Sequence, residues 1–383
     1  MKRTWLGPLV AITALTGCIS SDKDGTPISV ETPAAPRQDV AAAPAPAEPA
    51  VAAVEPASFD VLPAPRPGQS FTDWLADVRA AALAAGMAES TLSAALNGIT
   101  LSETVIKLDR AQAPNSVTPS FQSYLSKRLT PDKIARGLNR KQTVAEAVSF
   151  AARNYGVPAG VLMAIWGMET NYGSYTGNFP ILPALATLAY EGRRSELFRR
   201  ELWAALQIID RNMASPEQLR GSWAGAFGHT QFMPTSYLRF AVDANGDGRP
   251  DLWSDFTDVF ASTANYLVSH GWQPGLTWGF AVTVPATLDR AALRQEQVPE
   301  ECSRVIEKHS RWLTAAEWQQ LGLVPAKGPG AWPAPDTPMS LIEPDGPGGP
   351  AFLTTRNYRA FLKYNCSNFY ALSVAQLADA LDG

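Results

Sequence analysis

AIWGMETNYG, residues 164–173, places a single carboxylate, Glu169, at the end of an otherwise apolar segment. Pro158 suits a first helical position and Gly173 a stop, so the spacing predicts a helix over 158–170. Leu162, Ile165, Trp166 and Glu169 then fall at i, i+3, i+4 and i+7, on one stripe. Partial burial disfavours the charged carboxylate, and the negative end of the helix dipole acts in the same direction. Both raise the pKa of Glu169, which is what a general acid working near neutral pH requires. An acid at a helix end is often simply solvated, so the rest of the chain has to decide between the two.

The chain opens with Lys2 and Arg3, then an apolar run from Trp5 to Leu15 that is too short to span a bilayer. Leu15-Thr16-Gly17-Cys18 resembles the lipobox of bacterial lipoproteins, in which the cysteine carries the lipid. Residues 1–17 are therefore expected to be a signal peptide. Residues 18–68 are expected to form a disordered tether beginning at a lipidated Cys18, because the Pro- and Ala-rich stretch cannot bury enough apolar surface to offset its ordering entropy. With Cys18 set aside, Cys302 and Cys366 are an even pair in an oxidising compartment, and a disulfide between them is expected. The formal charge of -4, with no basic run interleaved with aromatics, argues against nucleic acid as a partner.

Helical spacing recurs from Phe71 to Gly86, Ser120 to Leu129, Pro131 to Tyr155, Ile181 to Tyr190 and Ser195 to Met213. On the last of these, Glu201 and Asp210 have ordinary polar spacing and are expected to be solvated. After Gly271 the texture changes: Thr277 to Val284 alternates like a strand, and Met339 to Ile342 and Ala351 to Thr354 are short apolar runs. Arg356 to Lys363 and Ser367 to Leu381 look helical again. The fold class is α+β, mainly α. The expected divisions are a helical region over 69–275, a small β-rich subdomain over 276–355, and C-terminal helices over 356–383 that return to the helical core.

Two further motifs carry chemistry. Gly221 to Tyr237, GSWAGAFGHTQFMPTSY, combines small residues that let backbone approach a ligand with the amide of Gln231 and the apolar faces of Trp223, Phe227, Phe232 and Tyr237. Sugars are bound in this manner, by stacking and by amide hydrogen bonds. A tight connection between helices would show the same composition. Asp243-Ala244-Asn245-Gly246-Asp247-Gly248-Arg249 reads as the front of a calcium loop, with oxygen ligands at alternating positions and a glycine turn at the sixth. The usual closing glutamate is replaced by Ser254.

Met168 to Gly173, Pro180 to Leu188, Gly225 to Pro234 and Ala264-Asn265-Tyr266 together, in this order, resemble the membrane-bound lytic murein transglycosylase B family. The resemblance implies a lysozyme-like helical core that cuts the bond between N-acetylmuramic acid and N-acetylglucosamine in peptidoglycan without water, leaving a 1,6-anhydro end. Glu169 matches the family's acid, which gives a proton to the leaving oxygen and then takes one from the 6-hydroxyl. Ser222, Gln231, Phe232, Tyr266, Tyr364 and Asn365 match cleft residues, and Arg193 and Arg194 an arginine pair suited to substrate carboxylates. His229 replaces the tyrosine of the family's GYGQFMP motif. Asp258 matches a later ligand that closes a lengthened calcium loop with Asp243, Asn245, Asp247 and Arg249, so a structural Ca2+ is expected and no cofactor for catalysis. The expected setting is the periplasmic side of the envelope, as a monomeric outer-membrane lipoprotein on glycan strands, working beside proteins of wall synthesis or remodelling. A hydrolytic muramidase and a wall-binding lipoprotein without turnover are the rival functions.

Overall fold

The helix Ala159–Thr170 is the axis of the molecule, and its sequence explains why. Glu169 is its only charged residue, and Gly160 to Met168 and Thr170 are all buried. A helix that is apolar on every side has to lie inside the protein, so the single stripe expected from the spacing is in fact a whole buried circumference. Pro158 caps it from one position outside, with φ -55° and ψ 142°. The helix stops because Asn171 (φ 51°) and Tyr172 (φ 59°) turn left-handed. The Tyr172 ring is clamped between two glycines: a Cβ on Gly137 would lie 2.4 Å from its hydroxyl oxygen, and one on Gly167 2.6 Å from its Cζ. No larger residue leaves room for that ring, so the turn directly after Glu169 is fixed by packing.

The computed structural model describes residues 59–112, 119–191, 193–326, 328 and 332–382. Cys18, the signal segment and all but the last residues of the 18–68 tether lie outside the described residues.

Helix Asn368–Asp382 packs along the axial helix, and helices Phe121–Arg128, Pro131–Thr143, Ala145–Tyr155 and Phe256–Ser269 surround the pair. The segment expected as one helix over 131–155 is broken at Val144 (φ -114°, ψ 18°), where the β-branched pair Thr143-Val144 lowers helical preference. A second core forms where Ile181–Glu191 packs on Ser195–Asp210, with Glu89–Leu96, Glu103–Ala111 and Pro234–Phe240 against them.

An antiparallel five-stranded sheet lies in the later part of the chain, in the spatial order Leu313–Thr314, Pro338–Ile342, Phe352–Thr354, Gly279–Thr283, Val324–Pro325. Its register pairs Gly279 with Thr354 and Leu341 with Leu353. Trp318, fully buried in a third small core, donates its indole N–H to the carbonyl of Met339 at 3.1 Å and pins the sheet to helix Ala315–Gln320. Cys302 and Cys366 form a disulfide with Cα atoms 5.7 Å apart. It ties the segment before helix Ser303–Ile306 to the turn between helices Arg356–Tyr364 and Asn368–Asp382. Among the described residues no helix is long and apolar enough to cross a membrane.

Candidate active site

Glu169 sits in the last turn of the axial helix with its side chain partly open to a cleft. The hydroxyl of Tyr370, from the helix packed alongside, donates to Glu169 Oε1 at 2.5 Å. Burial pushes the Glu169 pKa up to about 7, against the opposing pull of the Tyr370 hydrogen bond and of the Arg128 and Lys133 charges. Lys133 Nζ donates to the Gly167 carbonyl at 2.7 Å, covering the negative end of the helix two residues before the acid.

The cleft wall is built by the segment 221–233. Phe227 N–H donates to the Phe232 carbonyl, and the Ser222 and Ala226 backbones pair in the same small fold. Gly177 lets this segment close on the loop after Glu169, because a Cβ there would meet the Gly221 carbonyl carbon at 2.2 Å. Ser222 Oγ accepts from Ala226 N–H at 3.0 Å, which leaves its own proton for another acceptor. Gln231, in a left-handed conformation, donates Nε2 to the carbonyls of Gly228 (2.9 Å) and Thr176 (3.0 Å). Its amide donors are thus spent on fixing the loop, and its carbonyl oxygen is the group left to address a ligand. His229 is buried and accepts the Trp166 indole N–H on Nδ1 at 3.1 Å. Burial lowers its pKa, so it is a neutral packing partner of the axial helix.

Three aromatic rings form the other wall. Tyr364 donates its hydroxyl to the Thr230 carbonyl at 2.5 Å, beside Gln231, and Tyr266 donates to the Lys363 carbonyl at 2.7 Å. The two rings meet edge to face at 4.9 Å. Phe232 is 2% exposed and packs on both, so it backs the wall and does not offer a face for stacking. Asn365 is exposed at the end of helix Arg356–Tyr364.

Other expected positions lie elsewhere. Arg193 and Arg194 both bond the buried carboxylate of Asp109, which holds them against helix Glu103–Ala111, and no contact joins them to Glu169. Glu201 is not solvated as its spacing suggested, whereas Asp210 is partly exposed. Glu201 is 3% exposed and accepts from the Thr235 N–H (2.9 Å) and hydroxyl (2.8 Å), because the start of helix Pro234–Phe240 docks on it. Asp210 accepts from the Thr91 hydroxyl at 2.7 Å.

The Asp/Gly loop lies between helices Pro234–Phe240 and Phe256–Ser269. Asp243 accepts from the N–H groups of Gly246, Asp247 and Gly248, which curls the loop. The Asn245 side-chain amide is flanked by oxygens of Asp255 (2.9 Å) and Asp247 (3.4 Å). Asp258, fully buried, takes the N–H groups of Ala244, Asn245 and Asp251. Arg249 is anchored through its own N–H to Asp247 Oδ1. Among the described residues no group of three or more His, Cys, Asp or Glu side chains is assembled to hold a metal. The donors fit calcium in type and order, but closing on an ion would require the Asn245 amide to turn and Asp258 to release backbone partners.

Tyr370, Lys133 and Arg128 bear directly on Glu169 yet carry no local signal. Tyr370 stands 201 residues from its partner in an ordinary apolar helix, so only the return of that helix to the core reveals it.

One shielded acid in a cleft walled by aromatic rings and amides, on a buried helix of a mainly α fold, defines an enzyme of the glycan-cleaving class. The transglycosylase SLT domain family matches residues 70–379. The chain is 34% identical over 289 residues, 73% of its own length and 74% of the relative's, to membrane-bound lytic murein transglycosylase B of Escherichia coli (strain K12). SltB3 of Pseudomonas aeruginosa, in complex with NAG-anhNAM-pentapeptide, superposes with a TM-score of 0.75 at 40% identity, covering 82% of this chain and 80% of that one. The Escherichia coli lytic transglycosylase Slt35, in complex with calcium, gives 0.65 at 29% identity over 86% and 98% of the two chains. This chain belongs to the family of lytic murein transglycosylases, lyases that act on the glycosidic bonds of peptidoglycan.

Proposed function

We propose that Glu169 alone performs both proton transfers in cleavage of the β-1,4 bond between N-acetylmuramic acid and N-acetylglucosamine. The observation that carries this is one carboxylate at the end of a buried helix, held by the Tyr370 hydroxyl at 2.5 Å and raised by burial to about 7. A group poised there is competent in both protonation states at neutral pH. In the first step the Glu169 carboxylic acid protonates the glycosidic oxygen and the C1–O4 bond breaks. The muramoyl N-acetyl oxygen bonds C1 as the N-acetylglucosamine 4-hydroxyl departs. In the second step the Glu169 carboxylate removes the proton of the 6-hydroxyl, O6 bonds C1 and displaces the acetamido oxygen. The product is a 1,6-anhydro end, Glu169 is protonated again, and no water is consumed. A two-carboxylate glycosidase would need its partner within about 10 Å of the acid.

The substrate is peptidoglycan, a reading supported by the complex of SltB3 with NAG-anhNAM-pentapeptide. Ser222, Gln231, Tyr364 and Asn365 line its glycan path, with Tyr266 and Phe232 as their support. Arg193 and Arg194 belong to a more distant part of that path, where the Asp109 pair leaves their side chains about half exposed. Residues 69–275, 276–355 and 356–383 are the working divisions of the folded part. The lipobox sequence at Cys18 and the membrane-bound relative support a lipid-anchored, periplasm-facing protein of the outer membrane. The 243–249 loop is a structural calcium site closed by Asp258, supported by its ligand order and by the calcium complex of Slt35. Calcium bound there would tie the two flanking helices together.

The test is digestion of purified sacculi followed by mass spectrometry of the released fragments. Anhydro ends are expected. Reducing ends would make the enzyme a hydrolytic muramidase, and no release would leave a binding protein.

A further inference from the structure

We propose that the Cys302–Cys366 disulfide is a positioning clamp that fixes Asn365 at the rim of the glycan cleft, so that its reduction weakens substrate binding while leaving the acid intact. This rests on the reading that Asn365 lines the glycan path.

Helix Arg356–Tyr364 ends at Asn365, whose backbone is extended (φ -148°, ψ 117°), and the next residue is Cys366. Asn365 is exposed, so packing does not hold its amide and its backbone alone aims it. Upstream the chain is pinned: the Lys363 carbonyl accepts from the Tyr266 hydroxyl, and the Tyr364 hydroxyl donates to the Thr230 carbonyl. Downstream it is pinned by helix Asn368–Asp382. The turn between has its own short bonds, from Asn365 N–H to the Phe361 carbonyl and from Ser367 N–H to the Asn365 carbonyl, which do not tie it to the rest of the molecule.

That tie comes from segment 301–309, joined by the disulfide across a sequence separation of 64. Asn368 Nδ2 donates to the Val305 carbonyl at 2.9 Å, and His309 Nε2 lies 2.9 Å from Asn368 Oδ1. Both side chains are buried, so the Asn368 end of the turn is held without the disulfide. On the Asn365 side the segment's hold is the disulfide and the Glu301–Lys363 ion pair, whose side chains are 64% and 38% exposed. An ion pair that open to water contributes little. Residues 296–301 are all exposed, so packing does not press the approach to Cys302 onto the turn. Breaking the S–S bond therefore frees the Asn365 end and spares the Asn368 end. Tyr370 lies beyond Asn368 with its ring in the core, so Glu169 keeps its partner.

The bond is open to exchange, because Cys366 is exposed and Cys302 half-buried. A thiolate of a dithiol reductant attacks one Sγ, the S–S bond breaks, and the other cysteine leaves as a thiolate that takes a proton. The second sulfur of the dithiol then displaces the first cysteine. The protein gains two thiols and the dithiol becomes a disulfide.

The test measures kcat and KM on soluble peptidoglycan strands for the full-length enzyme before and after dithiothreitol, with the thiols counted. Reduction is expected to raise KM about fivefold or more with kcat within about twofold, and reoxidation to restore it. Cys302→Ser/Cys366→Ser should have the raised KM throughout and ignore the dithiol. Asn365→Ala should raise KM by a similar factor, and reducing that variant should add little, because both changes remove one interaction. Glu201→Ala, which weakens the fold elsewhere, should keep the wild-type KM. An unchanged KM in the reduced enzyme, a fall carried by kcat, effects of reduction and Asn365→Ala that multiply, or an equal rise in KM for Glu201→Ala each overturn the clamp. Loss of the cooperative melt on reduction would make the bond a stabiliser alone and overturns it too. Asn365→Ala separates the two readings: a wild-type KM in that variant overturns the glycan path and the clamp with it, whereas a KM raised by the variant and untouched by reduction keeps the path and overturns the clamp.

Discussion

Glu169 and Glu201 are both carboxylates on helices that pack into a core, and burial raises the pKa of each. What separates them is where the oxygens point. Glu201 is closed by the N–H and hydroxyl of Thr235, so it serves as the cap of helix Pro234–Phe240. Glu169 has one partner, the Tyr370 hydroxyl, and remains open to the cleft. A raised pKa therefore does not make an acid catalytic; lone pairs left unoccupied toward a ligand do.

The largest effect that could break this contrast is on turnover. Glu169→Gln keeps the shape and removes the proton, and is expected to lower the release of fragments from sacculi by about 1,000-fold or more with binding retained. Glu201→Gln should be nearly silent in the same assay. If the two variants lost activity equally, Glu201 would be more than a cap. Its truncation should instead appear in stability: Glu201→Ala strips the Thr235 N–H and hydroxyl of their acceptor, and thermal or urea unfolding should show a loss of about 3 kcal/mol.

The same contrast shows what sequence can and cannot reveal. The axial helix was legible because twelve residues with one charge leave no face for solvent, and the strands at 338–342 and 352–354 were legible from their short apolar runs. The burial of Glu201 was hidden, because its helix is amphipathic and the spacing looks polar until another helix docks on it. That helix, Pro234–Phe240, and Phe256–Ser269 were masked by the glycine-rich and Asp/Gly motifs beside them, which draw the eye to turns. The engagement of Arg193 and Arg194 depends on Asp109, more than 80 residues away. Local patterns report how much of a residue is buried. They do not report which partner buries it.

A smaller effect concerns stability against pH. An acid of pKa about 4.5 in the unfolded chain and about 7 in the native state is protonated in both below pH 4.5, so it costs nothing there. As pH rises toward 7 the unfolded chain ionises first and stability falls, and above 7 the loss stays constant. Glu169→Gln removes that loss. The variant should match the wild type at pH 4 and exceed it by about 3 kcal/mol at pH 8. A gain that is equal at both pH values would mean that Glu169 titrates normally in the folded protein.

The smallest and most informative change is Tyr370→Phe. It deletes one hydroxyl and leaves the ring in the core, so the fold should hold. The lost hydrogen bond favoured the carboxylate, and without it the Glu169 pKa moves further up. Giving a proton then becomes possible at higher pH, while taking one from the 6-hydroxyl, which needs the carboxylate held in place, becomes slower. The alkaline fall of kcat/KM reports the acid form in the free enzyme and should shift to higher pH, whereas kcat should drop about tenfold. An alkaline limb that stays where it is would show that Tyr370 does not bond Glu169 in the working enzyme. A limb that shifts while kcat is unchanged would show that the second proton transfer does not limit turnover, and the demand that one residue be both acid and base would then rest on Glu169→Gln alone.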